Sequence, residues 1–318
     1  MFPILLSARR VSGADNTDRC IRSSGMDSGG SRTNVIEYIT ISSAGNSTDF
    51  GNATVANEGS DGLSNGPRGV IKVGSGGSTG KEIDYVTMAT AANAADFGDT
   101  LSSTRHGGGV ADATRGLIYL GDWAAAAYET IEYLTIATLG NTTDFGDATV
   151  GRNDAGQAGG SDTRGMFAGG RQPAGGSVNT TDYVTIASVG NATDFGDLAT
   201  AVRNGGVACS NVRYVMCSGY GPVPAGGEAA VDIIQYFTIA SVGNAADFGD
   251  ITTASSNTKS GGANGVRGIT QMGGNTGSRV DTIEYITIAS TGNATDFGNT
   301  LLVTDRGGAM SWHLAEVA

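Results

Sequence analysis

A chain of 318 residues with 31 acidic and 19 basic side chains carries a formal charge of −12, which repels phosphate backbones and argues against nucleic-acid binding. Its 52 glycines recur at matched places beside only 5 prolines, so they mark repeated turns rather than disorder. The 3 cysteines are too few for a disulfide framework, and no segment is apolar for long enough to cross a membrane as a helix.

The opening MFPILLSARR has a short apolar run with no basic residues before it, so it does not read as a signal peptide. The chain is expected to be soluble and made in a cytoplasm, with residues 1–14 forming an N-terminal arm or a redundant strand. From Tyr38 one phrase, YITISSAGNSTDFGN, begins a series. It returns as YVTMATAANAADFGD, YLTIATLGNTTDFGD, YVTIASVGNATDFGD, YFTIASVGNAADFGD and YITIASTGNATDFGN, from Tyr85, Tyr133, Tyr183, Tyr236 and Tyr285. The tyrosines lie 47, 48, 50, 53 and 49 residues apart. A period of roughly fifty residues, rich in glycine and β-branched residues, points to a propeller or solenoid.

One unit reads as four short strands. In the copy starting at Arg105 the first, Gly107 to Ala111, is glycine-rich, and the second, Arg115 to Leu120, is a compact apolar run. The third, Ile131 to Thr138, alternates apolar and polar residues, and the fourth runs from near Phe145 to Val150. The intervals are too short for crossover helices, so the unit is an antiparallel meander. Such a meander cannot bury both faces alone; six around an axis can, with the glycine-rich strand innermost. The predicted fold is all-β: one six-bladed propeller over residues 1–318. The first strand occurs seven times, because Arg10–Ala14 and Arg306–Met310 both resemble it. The C-terminal RGGAMSW keeps the Gly-Gly and is expected to close the first blade.

Repeat chemistry explains much of the charge. The acids Glu37, Asp84, Glu132, Asp182 and Glu284 precede the tyrosine, with Gln235 the exception. Asp49, Asp96, Asp144, Asp194, Asp247 and Asp296 open each Asp-Phe-Gly, and Asp99, Asp147, Asp197 and Asp250 follow it. Together they supply nearly half of the 31 acids. Arg19, Arg68, Arg115, Arg164, Arg213 and Arg267 lead the second strands. The meander brings these arginines and the Asp-Phe-Gly acids to the same end, so six intrablade ion pairs are expected. The opposite end carries variable loops, DWAAAAYET after Gly121 and YGPVPAGGEAAVD after Gly219. These make Trp123, Tyr128, Tyr220, Pro222 and Pro224 the candidate ligand- or partner-binding residues, against the alternative that they only cover their own loops.

With Gly169-Gly170, Tyr183 and Phe195 in that order, the unit resembles a kelch repeat, with Phe where kelch repeats usually carry Trp. The phrase YVTIASxGNATDFGD, with TRG before it, also resembles repeat proteins of marine bacteriophage virions and tails, over nearly the whole chain. That resemblance implies a virion protein, multicopy or homo-oligomeric, whose partners are other virion proteins and a cell-surface glycan.

Catalytic sets are not found. Six copies of Asp-Phe-Gly without a Lys-bearing strand motif or His-Arg-Asp do not make a kinase. Copper oxidases among kelch-like propellers need a His, Tyr and Cys cluster, but the only histidines are His106 and His313, read here as surface or turn residues. No Gly-x-Ser-x-Gly supports a hydrolase triad. Asn191 and Asp194 offer too few oxygens for calcium without a neighbour's help. The sequons at Asn46, Asn141, Asn191 and Asn293 repeat inside a tight turn and read as coincidence. No metal or cofactor is expected. The leading expectation is a non-enzymatic structural or adhesion component of a phage virion; the alternative is a secreted or cell-surface carbohydrate-binding, lectin-like module. A hydrolase or lyase with its site at the axis ranks third.

Overall fold

The computed structural model describes residues 18–77, 79–121, 128–154, 158–172, 175–258, 260–275 and 277–312. The first blade holds β1 (Arg19–Asp27), β2 (Arg32–Thr40) and β3 (Thr48–Asn57). The second holds β4 (Asp61–Ser64), β5 (Arg68–Lys72), β6 (Glu82–Thr87) and β7 (Ala95–Asp99), and the third β8 (Gly108–Ala111), β9 (Arg115–Tyr119), β10 (Tyr128–Thr135) and β11 (Thr143–Arg152). In the fourth lie β12 (Ala158–Gly160), β13 (Arg164–Ala168), β14 (Thr180–Thr185) and β15 (Thr193–Asp197). The fifth contains β16 (Gly206–Cys209), β17 (Arg213–Pro222), β18 (Glu228–Thr238) and β19 (Ala246–Ser255). The sixth contains β20 (Gly262–Ala263), β21 (Arg267–Asn275), β22 (Arg279–Thr287) and β23 (Thr295–Asn299), after which β24 (Thr304–Asp305) and β25 (Gly308–Ser311) return to the first blade. Every blade is an antiparallel meander, and the six make a β-propeller.

Ring closure follows the sequence expectation. β25 pairs with β1 in the register Cys20↔Ser311, Ile21↔Met310, Arg22↔Ala309 and Ser23↔Gly308. The first blade thus joins both ends of the described chain, and β25 covers the inner edge of β1. The arm proposed for residues 1–14 lies outside the described residues.

The inner strands are glycine-rich because neighbouring backbones nearly touch. A Cβ placed on Gly62 would fall 2.4 Å from the Ala309 carbonyl oxygen of the adjacent blade. The core lies between blades: Leu117, Ile131 and Phe145 of the third pack with Phe167, Val184 and Ile186 of the fourth. Each fully buried Phe contributes about 2–3 kcal/mol from burial.

Strand bounds differ from the sequence reading at one informative place. β11 begins at Thr143, so Asp-Phe-Gly lies within the strand rather than at its turn. A bulge there sets Ile131 opposite Gly146 and Glu132 opposite Asp144, and the same irregularity recurs in all six blades. It turns each Phe inward, edge-on to its blade's Tyr, with ring centroids 5.6–6.1 Å apart.

Candidate functional site

The repeated polar residues are consumed by contacts within and between blades. The six strand-leading arginines do not pair with the Asp-Phe-Gly acids, contrary to expectation. Each guanidinium lies 4.2–4.7 Å from the centroid of its blade's Tyr ring. Each also donates from Nη1 to a carbonyl of the next blade: Arg19 to Met88, Arg68 to Ile136, Arg115 to Ile186, Arg164 to Ile239, Arg213 to Ile288 and Arg267 to Ile41. The bulge explains the error. Asp49, Asp96, Asp144, Asp194, Asp247 and Asp296 are exposed and stand across the ladder from the residue preceding Tyr, not from the arginine.

The residue preceding Tyr is buried in every blade and accepts from the blade before it. The Thr54 N–H and hydroxyl donate to Asp84, the Leu101 N–H to Glu132, the Thr149 hydroxyl to Asp182, the Thr252 N–H to Glu284 and the Leu301 N–H to Glu37. Gln235 performs the same task without charge, accepting from the Thr200 N–H at 3.1 Å and donating to its carbonyl at 2.9 Å. Burial pushes the carboxyls of Asp84, Asp182 and Glu284 above the usual range, while the hydrogen bonds and, at Asp182, Arg152 pull the other way.

A third stitch uses the Asn of each turn. The Oδ1 atoms of Asn93, Asn141, Asn191, Asn244, Asn293 and Asn46 accept from the preceding blade's N–H groups of Asn52, Asp99, Asp147, Asp197, Asp250 and Asn299, at 3.0–3.1 Å. The oxygen that a calcium ion would take from Asn191 is therefore already engaged, and the repeated motif is architecture.

At the axis lies a cavity of about 60 Å³, lined by glycine, alanine, valine, leucine, methionine, serine and Cys209. Burial pushes the Cys209 thiol up to about 12. Cys20, Cys209 and Cys217 are all free and buried; β16 sets Cys209 opposite Tyr214 and Gly206 opposite Cys217, so the two thiols do not face each other. His106 is a turn residue, at φ 59°, but it is buried rather than on the surface, its ring packed over Gly59. His313 lies outside the described residues.

The variable face treats its predicted residues unequally. Trp123 lies outside the described residues. Tyr128 begins β10, half-buried against the core shared by the second and third blades, and its carbonyl accepts the Tyr119 hydroxyl. Tyr220 is also half-buried, with the Arg203 guanidinium 4.6 Å from its ring centroid. Arg203 in turn binds Glu228 Oε2 at 2.7 Å, and Ser177 donates its hydroxyl to the Tyr220 carbonyl. Burial opposes ionisation of Glu228, but hydrogen bonds from Ser177 and the charge of Arg203 outweigh it and hold the carboxyl below its usual range. Tyr220 is therefore a buttress as much as a platform. Pro222 and Pro224 are exposed at the tip of the β17–β18 hairpin.

A second feature of this face was not anticipated. Residues 74–77, 79–80 and 103–105 wall an open groove of about 340 Å³ between the second and third blades, lined by glycines, hydroxyl side chains and Arg105. Ser75 Oγ accepts from Arg105 Nη1 at 2.9 Å and from Arg32 Nη2 at 3.1 Å. Beneath it the buried Lys72 ammonium donates to the carbonyls of Val73, Gly80 and Thr104 at 2.6, 3.0 and 2.7 Å. The available signal was departure from the repeat: GSGGSTG occurs in no other unit, and Lys72 is the only Lys at its register position.

No family model matches the chain, and no curated protein matches it. The fold and the site are thus defined by the molecule's own geometry: a six-bladed β-propeller with a small axial cavity, one turn face built from the repeat and one variable loop face.

Proposed function

We propose that this propeller is a non-enzymatic structural and adhesion component of a phage virion or tail, present in several copies and presenting its variable loops to a host surface. The observation that carries the binding-scaffold reading is the fate of the repeated polar groups. The arginines, buried acids and asparagines are spent on contacts within and between blades, while the departures from the repeat gather on one face. The particle assignment draws on the resemblance of the repeated phrase to marine phage repeat proteins alone. The axial cavity, where a propeller hydrolase or lyase would work, is too small for a substrate and contains no carboxylate or imidazole among its lining residues.

The test is saturable binding of the purified protein to bacterial cells, beside a Pro222→Ala/Pro224→Ala variant, with its mass in solution measured by ultracentrifugation. Self-association together with cell binding that the variant weakens is the expected result. Absence of both from folded protein overturns the proposal. A second reading, a secreted carbohydrate-binding module, draws on the hydroxyl-lined groove; it predicts glycan binding by a monomer.

A further inference from the structure

We infer that the N-terminal segment Met1–Arg10 docks on the turn face of its own propeller, over the fifth and sixth blades, where exposed valines and unpaired carboxylates complement its apolar and basic residues.

Val212 and Val266 lie in the turns leading into β17 and β21, and Val189 and Val242 in the turns leading into β15 and β19. Each is 57–63 % exposed. Single apolar side chains on a surface are ordinary, but these four stand on three neighbouring blades at one end of the ring. The outer-turn position of Val189 and Val242 is taken by Leu139 in the third blade, but by Ala44, Ala91 and Thr291 in the first, second and sixth. The apolar bias therefore belongs to one side of the face. Around these valines stand Asp162, Asp194, Asp247 and Asp296, exposed and in no ion pair with a described residue. The arginines of these blades are already turned onto tyrosine rings and onto carbonyl oxygens of the next blade. A second copy of the same face would set acid against acid, so the occupant that fits is apolar and cationic.

Residues 1–17 lie outside the described residues, and their sequence has that chemistry. Phe2, Ile4, Leu5 and Leu6 are followed by Arg9 and Arg10, with no acid before Asp15. The attachment point of this segment is on the same face. The Asp18 carbonyl accepts the Ile41 N–H at 2.7 Å, and its Oδ1 accepts the Ser42 N–H at 3.0 Å and Asn264 Nδ2 at 2.9 Å. Asn264 belongs to the same turn as Val266. The seven residues Val11–Thr17, between the segment and Asp18, span about 25 Å at full extension. Inner and outer turns of one blade are about 10 Å apart, two strand spacings, so Val212 and Val242 of the adjacent blade fall within that reach. A tether of this length supplies an effective concentration on the order of millimolar, which favours the chain's own face over that of another copy.

The test is cysteine pairing in the intact chain. Ser7→Cys, which keeps every apolar and basic residue of the segment, is combined with Val212→Cys or with Val242→Cys. The control partner is Leu301→Cys, comparably exposed but beyond the far end of β23. Cys20, Cys209 and Cys217 are buried and do not compete. After mild oxidation the disulfides are mapped by mass spectrometry of the digested protein. Intrachain pairing with the turn-face positions should be about tenfold or more faster than with Leu301→Cys, and Arg9→Glu/Arg10→Glu should slow it by a similar factor. Thermal unfolding checks that each variant is folded, and two turn-face positions keep the test valid where one substitution disturbs its turn. Equal rates to both faces, no pairing at either turn-face position, bonds only between chains, or a rate unmoved by the charge reversal overturns the inference.

Discussion

Substituting Gly146 and Gly140 with alanine, one at a time, separates backbone strain from contact between blades. Both glycines lie in the left-handed half of the backbone map, at φ +141° and +150°. A Cβ on Gly140 meets nothing within 4 Å, so its cost is strain alone, about 1–3 kcal/mol. On Gly146 the same atom falls 2.6 Å from the carbonyl carbon and oxygen of Gly190, which are backbone and cannot swing aside. The two blades must part there. Three hydrogen bonds then suffer: Gly190 N–H to Phe145 O at 2.9 Å, Ala192 N–H to Asp147 O at 2.7 Å and Asp147 N–H to Asn191 Oδ1 at 3.1 Å. At about 1 kcal/mol each they add about 3 kcal/mol, so Gly146→Ala should cost about 4–6 kcal/mol. Against a typical stability of about 5–15 kcal/mol that is a large fraction. Urea unfolding followed by circular dichroism measures both variants on one scale. Equal shifts for the two would refute the claim that the motif glycine exists for the neighbouring blade.

Three further outcomes are expected. Asp194→Asn should change unfolding by no more than about 0.5 kcal/mol, since Asp194 is exposed and raises the pKa of Asp182 rather than pairing with an arginine; a loss well beyond that would restore the ion-pair reading. Burial lowers the Lys72 pKa from 10.5 to about 8 despite the attraction of Asp61, Glu82 and Glu132, so its contribution to stability is present above the unfolded value and lost as pH falls through about 8. Between pH 8 and 9 the parent should therefore gain about 1 kcal/mol relative to Lys72→Met, read as the difference in urea midpoints; parallel curves would contradict it. The Cys20 and Cys209 thiols, pushed to about 12, and Cys217, raised further by burial, should resist iodoacetamide at about pH 8 in the native protein and react in denaturant. Native-state labelling would show that the blades open.

Much of the architecture was legible because a repeat tests every local reading six times. Tyr85, Asn93 and Phe97 recur in every blade and mark the unit of the meander, whereas the edge-on contact of the Tyr and Phe rings emerged only in the structure. The roles of Arg68 and Asp96 were not legible. A bulge of one residue reverses which side chains share a face, and no propensity of Asp, Phe or Gly announces it. Trp123, Tyr128 and Tyr220 stood out as aromatic exceptions to the repeat, whereas Arg32, Ser75 and Arg105 are unremarkable residues on three separate segments. Tyr220 lost much of its claim to openness because Arg203 lies 17 residues earlier in sequence yet stacks on it.

The sequence by itself determined the number of blades, the order of strands within each and the use of the C-terminal strand for closure. Blade number and strand order are set by periodicity and by short-range turns, which act over a few residues, and closure was legible because RGGAMSW repeats the first-strand pattern although its partner β1 lies at the other end of the described chain. Only the tertiary structure decided what the repeated charges do. Each Arg68-type guanidinium, Asp84-type acid and Asn93-type amide reaches across a blade boundary, to partners about 30 to 75 residues away, or across the ring closure for the first and last blades. Such pairings depend on how one sheet is rotated against the next, and that rotation comes from packing six wedges around an axis. The groove at Ser75 arises in the same way, where the first three blades meet.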